Sequence, residues 1–264
     1  MCLIALALAP RPELALVVIA NRDESYARPT EPMHRWADGS GIVAGRDLER
    51  GGTWMGVREG RARFAAVTNV RDPFDLRPKE PGEASRGDIV REVLIEDVSA
   101  LAYAARVATA TMRGFNLLAL DDDALVWCSN RGGALPMRLT RGVHGLSNAA
   151  IDTPWPKVER AKGLLAAEVG ASAEPSIEAL FGILADDARP PDAALPDTGV
   201  GLAIERELAP IRIAMPTYGT RCASVLIART NGEATLIERT IAPTPGPEVR
   251  FDLSLPISAR VWAR

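Results

Sequence analysis

The sequence predicts an α+β protein built from two antiparallel sheets with helices on their outer faces. Three observations lead to this fold class. Two unbroken apolar runs, 2–9 and 14–20, lack the alternation of a sheet that faces water, so these strands are predicted to be buried on both faces. Strand signals fill the first quarter, give way to helical signals, resume at 115–129 and return near the C-terminus. Tight turn signals such as Asn231-Gly232 join neighbouring strands as hairpins.

In chain order, 2–9 and 14–20 form a hairpin across Pro10-Arg11-Pro12-Glu13. Shorter strands are predicted at 41–45, 53–57 and 62–68, each ended by Gly, Arg or Asn. Ser85 with Asp88 three residues on resembles a capping box, and Ile89, Val90, Val93 and Leu94 then share one face of a helix running to about Ile95. A second helix is predicted over 98–110. The runs FNLLAL and ALVWCS flank Asp121-Asp122-Asp123 as a hairpin, whose acidic tip reads as a solvated turn because no calcium-loop pattern completes it. Thr153 ahead of Pro154 and Pro156 starts a helix reaching Val169, and another covers 176–186. The Pro- and Gly-rich segment 187–201 reads as a long surface loop. Strands at 211–215, 222–229 and 234–240 close a single domain spanning 1–264.

Composition narrows function. The 264 residues carry 31 basic and 34 acidic side chains for a net charge of −3, intermixed along the chain, which leaves no electrostatic footprint for nucleic acid. The three Cys and two His show no metal-ligand spacing, so no cofactor is expected and a reducing cytoplasm fits best. The opening apolar stretch lacks the pattern of a signal peptide, and no run reaches the roughly 18 residues of a membrane span.

Cys2 is the first candidate for chemistry. Removal of Met1 would leave one residue with both a thiol of pKa ~8.5 and an amine of pKa ~8, a nucleophile beside its own general base. A small hydrophobe opening a buried strand is the alternative reading. Four polar clusters end other predicted strands: Asn21-Arg22-Asp23-Glu24, Thr68-Asn69, Ser147-Asn148 and Tyr218-Gly219-Thr220-Arg221. Singly they are turns and surface pairs; with Cys2 they supply the parts of an acyl-transfer site. Adjacent Arg22 and Asp23 point to opposite faces of an extended strand, so both reach Cys2 only if the chain bends there. Otherwise Arg22 and Glu24 share one face and Asn21 and Asp23 the other.

The blocks Met1-Cys2-Leu3-Ile4, NRDE at 21–24, Gly45-Arg46-Asp47, Gly51-Gly52-Thr53-Trp54, Thr68-Asn69-Val70-Arg71, Ser85-Arg86-Gly87, His144-Gly145-Leu146-Ser147-Asn148 and Tyr218-Gly219-Thr220-Arg221 resemble, in this order, the NRDE family, also called the transport and Golgi organisation protein family. The resemblance implies the four-layer αββα fold of the N-terminal nucleophile hydrolases. A more distant similarity to penicillin V acylases and bile-salt hydrolases implies roles: Cys2 as nucleophile, Arg22 as the cation near the thiolate, Asp23 as anchor of the α-amine, Asn148 and a donor around Asn69 as the oxyanion hole, and Arg221 as a further cation. Those acylases space their Arg and Asp three apart, whereas here the two are adjacent.

Two functions follow as expectations. One is hydrolysis of an amide bond in a small molecule by Cys2. The other, implied by the family's links to haem and lipid handling, is a non-catalytic carrier that holds haem or an acyl lipid in the same cleft, with His34, His144, Cys, Met and Tyr side chains as candidate haem ligands. Among the remaining candidates, Gly51-Gly52-Thr53-Trp54 reads as a bend into a strand, Arg46-Asp47 and Arg71-Asp72 as exposed ion pairs by default or as lining of the cleft mouth, Trp54, Phe64 and Trp155 as core or pocket wall, Cys128 as core, and Cys222 as a candidate site thiol beside Arg221. Specificity is expected to come from loops at 71–84 and 187–201. The oligomeric state is left open.

Overall fold

The computed structural model describes residues 2–72, 83–133, 135–172 and 174–263. Two antiparallel sheets dominate it. The first is ordered β10-β1-β2-β11-β12-β13, with β1 Cys2–Arg11, β2 Leu14–Ser25, β10 Gly142–Leu146, β11 Tyr218–Arg229, β12 Glu233–Thr240 and β13 Glu248–Ser254. The second runs in sequence order through β3 Thr30–Arg35, β4 Ile42–Asp47, β5 Met55–Arg58, β6 Arg63–Asn69, β7 Phe115–Leu120, β8 Leu125–Ser129 and β9 Met137–Arg138. Five α-helices accompany them among the described residues: α1 Arg86–Ile95, α2 Ala100–Val107, α3 Pro156–Ala171, α4 Ile177–Leu184 and α5 Leu202–Leu208.

The unbroken apolar runs of β1 and β2 have the predicted cause. Their even-numbered residues, Ile4, Leu6, Leu8, Leu16, Val18 and Ala20, pack in one core with Val43, Met55, Val57, Phe64 and Leu118 of the second sheet. Their odd-numbered residues, Leu3, Ala5, Val17 and Ile19, pack with Val158, Ala161 and Leu165 of α3 and Leu180 of α4. A third core joins the outer face of the second sheet to α1 and α2 through Ile42, Ala65, Val90, Leu94 and Tyr103. This parity decides which residues at the strand ends can reach the space between the sheets.

Several elements differ from the sequence reading. No strand forms over 211–215. Pro210 and Pro216 flank this stretch and leave only an isolated bridge from Ala214 to Gly219, although Ile211 and Ile213 are buried. The helix predicted from Thr153 begins at Pro156, with Trp155 as its N-cap. The 187–201 segment is followed by an unforeseen helix, α5; the edge strand β3 carried no alternating apolar signal, whereas β13, also not predicted, alternates Val249, Phe251 and Leu253 with polar residues. Ser85 caps α1 as expected, its hydroxyl accepting from the Gly87 amide. Asp121 is buried rather than solvated: its carboxylate accepts from the amides of Ala100 (2.6 Å), Asp123 and Ala124 (both 2.8 Å), closing the turn and fixing the start of α2.

Candidate active site

A cavity of about 140 Å³ opens between the two sheets at the ends of β1 and β2. Cys2, Arg22, Arg221 and Cys222 line one wall, and Asp47, Trp54 and Asn69 are on the other. The N-terminal residues of α1, Ser85 to Gly87, close one side. Close backbone approach builds that corner. The Thr53 amide donates to the Gly87 carbonyl (3.2 Å), and a Cβ on Gly52 would lie 2.6 Å from the Gly87 carbonyl carbon, so glycine at 52 is a packing requirement.

Strand register places the nucleophile candidate. Cys2 pairs directly with Arg22 across β1 and β2, and Arg22 pairs with Cys222 across β2 and β11, so the three side chains share the inter-sheet face. Cys2 is 8% exposed and Arg22 6%. Burial pushes the Cys2 thiol up, against the opposing pull of the amino terminus, the Asp23 backbone amide and Arg22. Burial thus disfavours the thiolate, and the cation at Arg22 does not by itself reverse the effect of burial. Cys222 is pushed up as well, by burial and by Glu238.

Arg22 is sparsely partnered for a buried guanidinium. Its Nη1 donates to Thr30 Oγ1 (3.2 Å), and it forms no ion pair among the described residues. Asn21 and Asp23 point the other way, towards the helices, as strand alternation requires. Asn21 Nδ2 donates to the carbonyls of Leu184 (2.9 Å) and Ile211 (3.0 Å), tying the end of α4 to the segment before β11. Asp23 accepts from Thr220 Oγ1 (2.7 Å), and burial pushes its carboxyl up against the amino terminus, Lys157 and Thr220. The NRDE string thus serves both faces of one strand, with Arg22 and Glu24 towards the cavity.

Thr68-Asn69 and Ser147-Asn148 meet. Thr68 Oγ1 donates to the Ser147 carbonyl (2.5 Å), Asn148 Nδ2 donates to the Asn69 carbonyl (2.8 Å), and the Arg71 amide donates to the Asn148 carbonyl (2.7 Å). Ser147 Oγ donates to the Cys2 carbonyl (3.1 Å), which ties the head of β1 to the same knot. Asn69 lines the cavity, whereas Asn148 stands behind it as a brace. Arg221 occupies a register shift between Thr220 and Cys222, the kind of irregularity that re-aims a side chain. Its guanidinium donates to the carbonyls of Ser25 (2.8 Å), Arg28 (2.9 Å) and Ala242 (3.0 Å), so it shapes the turn after β2 as well as lining the cavity.

The remaining candidates are sorted by geometry. Arg46 does not pair with Asp47; it stacks on Trp36, and Asp47 pairs with Arg28 (2.6 Å). Arg71 does not pair with Asp72; it is buried against Glu205 (2.6 Å) and over Trp155, and Asp72 pairs with Arg131 (2.7 Å). Phe64 lies in the inter-sheet core, and Cys128 lies in the outer core with its thiol pushed up to about 12 by burial. His144 is held at both ring nitrogens, by Asp152 (2.9 Å) and the Thr140 carbonyl (2.8 Å). Most of the 71–84 loop lies outside the described residues. No group of three or more His, Cys, Asp or Glu among the described residues is placed to hold a metal ion, and no helix among them is long and apolar enough to cross a membrane.

Two features were missed in the sequence. Glu238 is buried between the sheets and accepts from the Met33 amide (2.8 Å), which bridges β12 to β3. Lys157 is buried on α3, its Nζ donating to the Leu208 carbonyl (3.0 Å). A lysine in the first turn of a helix works against the helix dipole, and that was its only sequence signal.

Fold and site together define a two-sheet antiparallel protein with a thiol and a buried guanidinium in register at the mouth of an inter-sheet cavity. The family model for Transport and Golgi organisation 2 matches residues 1–243, and the chain belongs to that family. It is 34% identical over 262 residues to the Transport and Golgi organization 2 homolog of Mus musculus, covering 91% of this chain and 93% of that protein. It is 34% identical over 264 residues to the Homo sapiens homolog, with the same coverage. The Drosophila melanogaster Transport and Golgi organization protein 2 is 27% identical over 251 residues, 86% of each chain.

Proposed function

We propose that the chain is an N-terminal-cysteine hydrolase that cleaves an amide bond of a small molecule, with Cys2 as nucleophile after removal of Met1, on the αββα sandwich of the N-terminal nucleophile hydrolases. The observation that carries this reading is the register: Cys2 heads a strand and faces the cavity directly opposite Arg22, with Asn69 on the facing wall. In the proposed mechanism the Cys2 thiol passes its proton to its own α-amine as the sulfur attacks the substrate carbonyl. Burial that disfavours the thiolate suits this route, because the base acts at the moment of attack. The Asn69 side-chain amide, braced by Asn148, donates to the oxyanion, Arg22 offsets the developing negative charge, and Asp23 anchors the amine. The carbon–nitrogen bond then breaks, the α-amine returns the proton to the leaving amine, and a thioester remains on Cys2. Water hydrolyses the thioester and releases the acid.

Intact-mass measurement with iodoacetamide labelling tests the reading. The expected result is a chain that lacks Met1 and labels at Cys2 faster than at Cys128. Retention of Met1, or equal labelling, removes the nucleophile. A second reading is a carrier of haem or an acyl lipid in this cleft, tested by haem titration: no Soret shift for wild type counts against it, and a shift unchanged in His144→Ala and Cys2→Ala excludes those two ligands.

A further inference from the structure

We propose that the cavity beside Cys2 is an anion site: Arg22, Arg46 and Arg221, which line it without an ion pair among the described residues, hold a carboxylate of the substrate, so that the amide cleaved is a small one carrying a carboxylate within a few bonds of its carbonyl. That the ligand is an amide rests on the hydrolase reading above; the anion site does not.

Arg22 is the most buried of the three, at 6% exposed. It reaches from β2 across the gap between the sheets to Thr30 Oγ1 on β3 (3.2 Å), and this is its one hydrogen bond, although a guanidinium carries five N–H donors. Desolvating a cation is costly unless an anion or a full set of acceptors meets it, and one hydroxyl is neither. Arg46 approaches from the facing sheet. Its guanidinium stacks on Trp36 (4.5 Å to the ring centroid) and its Nε donates to the Gly51 carbonyl (3.3 Å), so both terminal nitrogens are left over on a group whose plane is already fixed. Arg221 meets only backbone carbonyls, through Nε and Nη1, which orient it without neutralising it. A planar fork of N–H donors matches a carboxylate two bonds at a time.

The other charges on the cavity wall do not cancel these. Arg28 pairs with Asp47 (2.6 Å) and Arg113 with Glu83 (2.9 Å), so those carboxylates are engaged. Asp23 borders the cavity but carries its carboxyl on the helix side of β2, where Thr220 Oγ1 donates to it (2.7 Å). Glu31 lies beside His34 (3.6 Å), and Arg50 is exposed to solvent. Two carboxyls remain. Glu24 accepts from the Ser25 amide (2.8 Å), and Glu238 accepts from the Met33 amide (2.8 Å) while burial favours its neutral form. Three guanidinium groups thus face one carboxylate and one carboxyl held towards neutrality. A bound monoanion is matched, and positive charge is still left for the oxyanion that forms at Cys2. The first turn of α1 closes the same cavity, and its dipole adds to the positive potential.

Volume limits the ligand. The cavity of about 140 Å³ is close to the ~150 Å³ of an engineered cavity that takes up one benzene molecule, so the part of the ligand it encloses is a group of about that size.

The test compares pairs of small amides of nearly equal shape that differ in this one charge. N-acetylglycine against N-acetylglycinamide places the carboxylate on the amine side of an amide, and succinamate against succinamide places it on the acyl side. Affinity for the full wild-type chain is read by NMR titration. In at least one pair the carboxylate is expected to bind about tenfold or more tightly than its neutral partner, the lower end of what a cleft of one sign gives an opposite charge. Arg22→Gln and Arg46→Gln are each expected to remove most of that difference. Equal affinity within both pairs, or no binding of either carboxylate, overturns the proposal and requires no variant to fold. A preference that persists undiminished in both variants also overturns it, because the anion then lies elsewhere. Assay of the same samples for released acetate and succinate separates the two readings. Preferential binding without cleavage upholds the anion site and gives the hydrolase no support, whereas equal binding and equal cleavage of both members of each pair uphold the hydrolase and overturn the anion site.

Discussion

Cys2 and Arg22 stand directly opposite each other on β1 and β2 and project into the same cavity, so a buried thiol and a buried guanidinium are neighbours by register. Replacing Arg22 by Gln deletes the charge at similar volume. It is expected to raise the Cys2 thiol further and to slow iodoacetamide labelling of Cys2 near neutral pH, with Cys128 unaffected. The pH–rate profile of labelling checks this, and an unchanged profile would take Arg22 out of the nucleophile's electrostatic surroundings.

Asn148 braces the wall opposite. Asn148→Ala removes the donor to the Asn69 carbonyl at the junction of β6 and β10. Losing this partly buried hydrogen bond is expected to cost about 1 kcal/mol, measured by urea unfolding. Unfolding midpoints equal to wild type would show that the Asn69 carbonyl finds water instead.

The Arg71–Glu205 pair is buried on both sides. Glu205→Ala strips Arg71 of this carboxylate in the interior and is expected to destabilise the chain by about 3–5 kcal/mol, read as a lowered thermal midpoint. An exposed pair would give a far smaller effect, so a loss below about 1 kcal/mol would contradict the burial.

Glu238 makes stability depend on pH. Burial raises its carboxyl, opposed by the Met33 amide and Cys222, so the folded state holds its proton more tightly than the unfolded chain does. The associated stability is present below the ordinary glutamate range and is lost as pH rises through the folded-state value. Glu238→Gln keeps an acceptor for the Met33 amide and removes the ionisation. Thermal midpoints measured from acid to neutral pH are expected to fall less for Glu238→Gln than for wild type, and parallel curves would be the contrary result.

What could be read in advance follows from where the information lies. β1 and β2 were legible because strands buried on both faces must be apolar at every position, and the sequence shows this without help from any neighbour. The caps at Ser85 and Ser176 and the turn at Asn231-Gly232 are local chemistry and were equally open to reading, although Ser176 was not singled out as a cap. β3 was hidden because this edge strand buries little, β13 was legible in the alternation of Val249, Phe251 and Leu253 although it was not predicted, and the stretch at 211–215 misled because Ile211 and Ile213 are buried without joining a ladder. Arg46-Asp47 and Arg71-Asp72 misled for one reason: sequence neighbours on extended chain point apart, and each found its partner across the fold.

The sequence alone determined the two-sided burial of the central strands, the helices flanking them, and the set of polar strand ends from which a site could be assembled. Tertiary structure decided which of those ends meet. Strand pairing fixed the register that sets Arg22 against Cys2 and turns Asn21 and Asp23 to the helices, and only the packing of α3 buried Lys157 with its Nζ on the Leu208 carbonyl. Register and packing depend on contacts between residues far apart in the chain, and no local pattern encodes them.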